Sequence, residues 1–157
     1  MAKFERKGKK GMPAISTASL PDIVFMLLFF FMVSTTMRDT ELLVRNRIPS
    51  ATEIVKIEKK SLVSYIFIGT PTSKYQKLYG TEPRIQLNDS FKSLDAIRDF
   101  ISSERDAMNE YDRAFLTVSL KIDEDTRMGV VTDVKQELRK ASALKISYAA
   151  KRVEKIE

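Results

Sequence analysis

The sequence predicts a single N-terminal transmembrane helix followed by a small two-layer α+β domain with the element order β-β-α-β-α-β. Ile23–Val33 is an unbroken run of eleven apolar residues near the N-terminus. Beyond residue 60, segments that alternate apolar and polar residues are interleaved with two segments of helical periodicity. The 157 residues suit one folded domain. We predict a basic tail over 1–13, a membrane helix over 14–37, a linker over 38–60 and an α/β domain over 61–157.

The composition excludes several kinds of chemistry. The chain contains no His, Cys or Trp. It therefore lacks the residues of a Ser-His-Asp or Cys-His nucleophile system, of a usual structural zinc site and of a disulfide. The acidic cluster at residues 123–125 lacks EF-hand spacing, so a solvated turn is the preferred interpretation. We expect no enzymatic activity, no metal and no cofactor.

The apolar run predicts the membrane helix. Between Ile15 and Met37 only Asp22 carries a formal charge, and a helix of that length rises about 34 Å, enough to cross a hydrocarbon core of about 30 Å. Two alternatives stay open. One is a cleaved signal peptide, although no convincing Ala-x-Ala site follows the run. The other is a buried helix of a soluble domain, because a run of eleven is short.

The charges on either side of the segment predict its orientation. Five basic residues and one acid precede it. The positive-inside rule therefore places the N-terminus in the cytoplasm and the rest of the chain outside it. From Arg38 onward the chain has 22 basic and 19 acidic residues. The net charge of +6 therefore reflects topology in large part, and we expect no nucleic-acid partner.

Asp22 is the residue most indicative of function. An ionised carboxylate inside a membrane costs several kcal/mol and marks a functional site by default, such as a proton relay. The same position fits a structural role, because Ser19–Asp22 resembles a helix start, where an acid favours the helix dipole. A single span cannot shield this carboxylate from lipid. The sequence therefore implies a partner membrane protein, a second copy, or both.

The first half of the domain predicts two strands and a helix. Leu62–Thr70 is rich in β-branched and aromatic residues and predicts a strand. Pro71–Pro83 contains turn residues and predicts a long loop or ragged hairpin, and Arg84–Asn88 predicts a short strand. A helix capped by Ser93 follows. Its predicted apolar face consists of Leu94, Ile97, Ile101 and Met108.

The second half predicts strand, helix and strand, with both helices on one face of the sheet. Arg113–Ile122 and Leu144–Ala150 alternate as half-buried strands. Between them lies a helix capped by Asp125 or Thr126, and Lys151–Glu157 is a charged tail. The inward residues of this helix are Val131, Val134, Leu138 and Ala141. The polar side of Arg113–Ile122 (Thr117, Ser119, Lys121), with an unpaired edge strand, predicts dimerisation or capture of an extended peptide.

Two segments resemble the ExbD/TolR family. Ser16–Thr36 contains Leu-Pro-Asp before an aliphatic and aromatic run that closes in Thr-Thr, and it resembles the family's membrane helix. Thr117–Ile146 contains an acidic turn and a Gly-Val-Val helix start, and it resembles the family's C-terminal strand–helix–strand. Ser142 stands where the family usually has Gly, and the enlarged segment 71–83 also departs from the family pattern.

The resemblance implies a subunit of a proton-driven motor of the bacterial inner membrane. Asp22 would be the family's proton-carrying aspartate. Ser34, Thr35 and Thr36 could polarise the outer end of the proton path, although they serve equally well as a polar helix end. The implied partners are an ExbB-like ring of multi-span proteins, a TonB-like energy transmitter and a second copy of the chain. The domain would lie in the periplasm.

The linker also carries a partial resemblance. Val44, Ile48 and Pro49 match the apolar positions of a short family segment that regulates proton flow, with two extra residues between them. The composition alone fits a plain tether. The resemblance leaves open whether the motor serves TonB-dependent uptake or Tol-type envelope maintenance. A passive, membrane-anchored binding module is the alternative from a different class.

Overall fold

A computed structural model describes Gly8, Gly11, residues 17–35 and residues 40–154. The chain divides into two compact units, Met1–Asp39 and Thr40–Glu157. Apart from the two glycines, the predicted basic tail lies outside the described residues.

The first unit contains one helix, α1, over Ser19–Thr35. Pro21 is tolerated in its first turn, because a backbone N–H at that position has no acceptor within the helix and its absence therefore costs no hydrogen bond. None of its residues is buried, and its apolar side chains from Leu20 to Val33 are 49–67% exposed. No helix in the described parts of the chain is long and apolar enough to cross a membrane. The predicted transmembrane helix over 14–37 is thus not confirmed, because the 17 residues of α1 rise only about 26 Å.

The second unit is built on a five-stranded sheet with the strand order β4-β3-β2-β5-β6. Its strands are β2 (Val63–Gly69), β3 (Arg84–Leu87), β4 (Ser90–Lys92), β5 (Thr117–Ile122) and β6 (Ile146–Tyr148). The pairs β2–β3 and β3–β4 are antiparallel, whereas β2–β5 and β5–β6 are parallel. The sheet is therefore mixed, with β4 and β6 at its edges.

Two helices, α3 (Ala96–Ala107) and α4 (Met128–Lys140), cover one face of this sheet. Every second residue of a strand and one face of each helix point into the interface between helices and sheet, because side chains repeat every 2 residues in a strand and every 3.6 in a helix. The buried core comprises Ile66, Ile68, Ile85, Leu87, Ile97, Ile101, Leu116, Val118, Leu120, Val134, Leu138 and Ala143. The predicted mixed α/β domain with a sheet and helices is thus present.

The predicted element order β-β-α-β-α-β is not found. A helix, α2 (Ser73–Tyr79), occupies most of the segment predicted as a loop. Strand β4 forms a second hairpin with β3. A two-stranded parallel sheet joins β1 (Ser50–Ala51) to β7 (Lys151–Arg152), so the first two residues of the predicted charged tail form a strand.

The predicted helix caps are wrong. The residue preceding α3 is Asp95, and that preceding α4 is Arg127, and neither makes a side-chain cap. The Asp125 carboxylate instead pairs with Arg47. The Thr126 hydroxyl is buried without a hydrogen-bond partner among the described residues. Helix α4 ends at Lys140, and Ser142, two residues further on, has a φ of 57°, in the left-handed region that glycine adopts most easily.

Candidate functional site

Asp22 lies in the first turn of α1. It is the only charged residue between Ser19 and Thr35, and its side chain is exposed, like its apolar neighbours. An acid in a first turn interacts favourably with the helix dipole. A helix that is apolar on every side belongs in a protein core or in lipid. The carboxylate of Asp22 is the one ionisable side chain of α1.

The polar residues at the other end of α1 do not reach Asp22. Ser34 is twelve residues along the helix, about 18 Å along the axis. The Thr35 hydroxyl donates to the backbone oxygens of Phe31 (2.8 Å) and Met32 (3.1 Å), so it already serves the last turn of the helix. Thr36 lies outside the described residues. A proton path between these positions needs groups from outside α1.

The second candidate element is the strap, which we define as residues 41–51. The side chain of Gln86, on β3, forms hydrogen bonds with the first residues of the strap. Gln86 is fully buried; its Oε1 accepts from the Leu43 backbone N–H at 2.8 Å, and its Nε2 donates to the backbone oxygens of Glu41 (2.6 Å) and Asn88 (2.8 Å). The Glu41 N–H also donates to Asp89 Oδ1 at 3.2 Å. The strap is thus attached to the β3–β4 hairpin at its first residue.

The middle of the strap lies across the end of β2. Val44 is 1% exposed and forms an antiparallel bridge with Pro71, and the Arg45 N–H donates to Thr70 O at 2.7 Å. Gly69 lies beneath this contact, where a Cβ would overlap the Arg45 backbone oxygen. The close approach of the two backbones therefore requires glycine at position 69.

Arg47 of the strap contacts the acidic turn at residues 123–125, which follows β5. Its backbone N–H donates to Asp123 Oδ1 at 2.7 Å, and Asp123 is only 2% exposed. Its guanidinium contacts Glu124 at 3.5 Å and bonds to Asp125. The acidic cluster predicted as a solvated turn is thus the docking position of the strap. Its charge is offset by one arginine of the same chain.

The last part of the strap reaches the C-terminal strand. Ile48 is half-buried, and the Pro49 backbone oxygen accepts from the Lys151 N–H at 2.9 Å. The β1–β7 pair follows directly, and Val153 N–H donates to Ala51 O at 3.2 Å. Residues 41–51 of the predicted linker are thus attached to the domain at both ends, rather than forming a free tether.

The sheet face opposite α3 and α4 carries the residues predicted as an interaction surface. Ser119 on it is 3% exposed. The Lys121 ammonium lies over the rings of Tyr65 (4.6 Å) and Phe67 (5.2 Å). Strand β5 is internal to the sheet, so its residues offer side chains but no free backbone edge. The available edges belong to β4 and β6.

Two residues of the strap contact, Gln86 and Asp123, were missed as functional candidates. Both are polar residues in or beside strands, positions that the alternation assigns to solvent. Their burial depends on the strap, a segment distant in sequence. The available signal was the opposite charge of the arginines in the strap, of which Arg47 makes the contact, and of the acidic residues at 123–125.

The described residues thus combine an apolar helix that carries one carboxylate with a small mixed α/β domain. The chain matches the family described as Biopolymer transport protein ExbD/TolR over residues 8–152. It belongs to that family. Neither the curated proteins nor the solved structures yielded a match. Membership implies a part in energy transduction for biopolymer transport, within membrane complexes and without enzymatic activity.

Proposed function

We propose that the chain is the proton-motive-force-transducing subunit of an inner-membrane motor. In this proposal α1 lies in the membrane, the N-terminus is cytoplasmic and the domain is periplasmic. The partners are an ExbB-like ring, a TonB-like energy transmitter and a second copy of the chain. The observation that carries the proposal is the lone carboxylate of Asp22 in a helix whose other side chains are uncharged.

The mechanism follows from the cost of an ionised group in lipid. Asp22 takes up a proton on one side of the membrane and releases it on the other. Each charge that crosses contributes about 2.3 kcal/mol per 100 mV. The change in charge at Asp22 alters which partner groups stabilise α1, and hence its rotational setting within the ring. The strap, attached at both ends, then passes this movement to the sheet.

The test is Asp22→Asn, which keeps the size of the side chain and removes the exchangeable proton. We expect the variant to insert and to co-purify with its ring partner but to lose proton-dependent transport. Asp22→Glu, which keeps a carboxylate, serves as the matched control and should retain part of the activity. Full transport by Asp22→Asn contradicts the proposal.

A passive anchor is the second candidate, and the position of Asp22 in the first turn of α1 favours it. In that case Asp22 stabilises the helix start, worth about 0.3–1 kcal/mol, and Asp22→Asn is almost silent. Replacing α1 by an unrelated anchor would then preserve function.

Purification of the chain in mild detergent distinguishes the two motor branches of the main proposal. A TonB-like partner recovered with the chain indicates the first branch, and a Tol-type partner indicates the second.

A further inference from the structure

Helix α2 presents an exposed surface of mixed character. Its sequence, Ser73–Tyr79, contains two lysines and no acid. Leu78 is 79% exposed and Tyr79 is 40% exposed, and Lys74 and Lys77 are exposed beside them. An exposed leucine that follows two cations on the same short helix contributes nothing to the core.

The inner side of α2 is firmly held, so this surface is a fixed one. Tyr75 and Tyr79 pack on the ring of Phe91 in β4, with centroid distances of 6.4 and 4.7 Å. Arg84 Nε donates to Tyr79 O at 3.0 Å and satisfies the end of the helix. Gly80, with a φ of 79°, ends the helix in the conformation that glycine adopts most easily.

Helix α2 also lies beside the point where the chain reaches the domain from α1. The N–H of Thr72, which precedes α2, donates to Leu43 O of the strap at 2.9 Å. Strand β4, on which α2 packs, follows Asp89, the partner of the Glu41 N–H. The beginning of the strap and α2 therefore lie side by side within the second unit.

We propose that α2 is a membrane-docking surface that binds the anionic lipid surface from which the chain emerges. The inference rests on the proposed function, because it requires α1 in the membrane. Leu78 enters the boundary of the acyl chains, and Lys74, Lys77 and Arg84 bind lipid phosphates. This division of roles follows the depth preferences of aliphatic and basic side chains.

Charge favours lipid over a protein partner. Within residues 71–84 the single acid, Glu82, pairs with Arg127 at 3.7 Å, so the three cations of the surface have no acidic partner within that segment. A cation near an anionic leaflet is worth about 1 kcal/mol, or about fivefold in binding. Removing two cations is therefore expected to weaken docking about 25-fold. Added salt should weaken it as well.

The experiment uses the full chain in vesicles, with an environment-sensitive fluorophore on one introduced cysteine. The chain has no native Cys, so Leu78→Cys and Leu144→Cys each give a single label. Leu144 is the matched control, since it is also an exposed leucine, at 74%, but lies beyond α4. In vesicles of phosphatidylcholine and phosphatidylglycerol, we expect lipid-borne quenchers to reach the label at position 78 and not that at 144. In phosphatidylcholine alone, quenching at 78 should be lost.

The double variant Lys74→Gln/Lys77→Gln should reduce quenching at position 78, while Lys135→Gln/Arg139→Gln, the same change on α4, should not. Equal quenching at 78 and 144, or quenching at 78 that does not depend on phosphatidylglycerol, overturns the proposal. Shielding of position 78 in detergent without lipid overturns it in favour of a protein occupant. Flotation of the chain with vesicles is scored separately. A chain that does not float refutes the proposed function, whereas one that floats without quenching at 78 refutes only the docking surface.

Discussion

Gln86→Leu tests whether the strap is held by one buried side chain. Leucine has a similar volume but no polar atom. The substitution removes the acceptor of the Leu43 N–H, and Leu43 is itself 8% exposed, so a nearly buried donor loses its partner. Such a loss costs about 2 kcal/mol, and the bond from Nε2 to the Glu41 backbone oxygen adds about 0.5 kcal/mol. The strap contact should weaken by about 2.5 kcal/mol in total.

Amide hydrogen exchange on the full chain in detergent micelles measures this effect. Exchange at Leu43 and Arg45 should accelerate about 60-fold, since 1.4 kcal/mol corresponds to a factor of ten. Exchange of core strand amides such as Ile66 should change little. Gln76→Leu, which removes one hydrogen bond to the Pro71 backbone oxygen, is the matched control. Unchanged exchange at Leu43, or an equal acceleration at Ile66, would refute the reasoning.

Three further predictions follow from the second unit. Gly69→Ala should displace the Arg45 backbone and destabilise the fold by about 1–3 kcal/mol, seen as a lower urea midpoint with faster exchange in the strap; wild-type exchange there would contradict the contact. Ser142→Gly should stabilise the chain by about 1 kcal/mol, because glycine adopts the left-handed conformation without strain; a lower urea midpoint would count against this. The hydrogen bond from Lys140 holds the pKa of Glu137 below its usual range, against the opposing effect of burial. Because the pKa is lowered on folding, the stability from this pair is present above about pH 4.3 and is lost as the pH falls through the folded-state pKa. The difference in unfolding free energy between the wild type and Glu137→Gln should therefore shrink in acid, and a constant difference would exclude this linkage.

Local patterns predicted the central strands and the two core helices well. The strand predicted at Leu62–Thr70 is β2, Val63–Gly69, because β-branched and aromatic residues dominate it. The stripe with Ile97 and Ile101 became the buried side of α3. In these elements the face on which apolar residues recur is also the face buried in the core, so the periodicity of the sequence predicts the burial.

Helix α2 was missed although a signal was present. Tyr75 and Tyr79 stand four residues apart, the spacing of one helix face, and both contact Phe91. The turn residues around Pro71 and Pro83 outweighed this signal, because a helix of seven residues is too short to show a second repeat.

The strap could not be predicted locally. Its β1 strand pairs Ser50 with Lys151, about a hundred residues along the chain, and two paired residues leave no periodic pattern. The burial of Gln86 and Asp123 follows from the same long-range contact. Sequence resemblance pointed to Val44, Ile48 and Pro49, but the side chains that hold the strap, Gln86 on β3 and Asp123 after β5, bond the backbone of its other residues.

The order of the strap contacts has a mechanical consequence. A pulling force that travels along the chain from its N-terminal side reaches the domain first at Glu41, and only then at Leu43, Arg45 and Arg47. Such a load opens the bonds one after another, as in peeling, instead of shearing them together. The strap would detach at a force set by single hydrogen bonds while the β2–β5 ladder stays intact. Each strap residue that detaches adds about 3.5 Å of extended chain ahead of the sheet. The connection to the domain therefore lengthens before the load reaches the strands of the sheet.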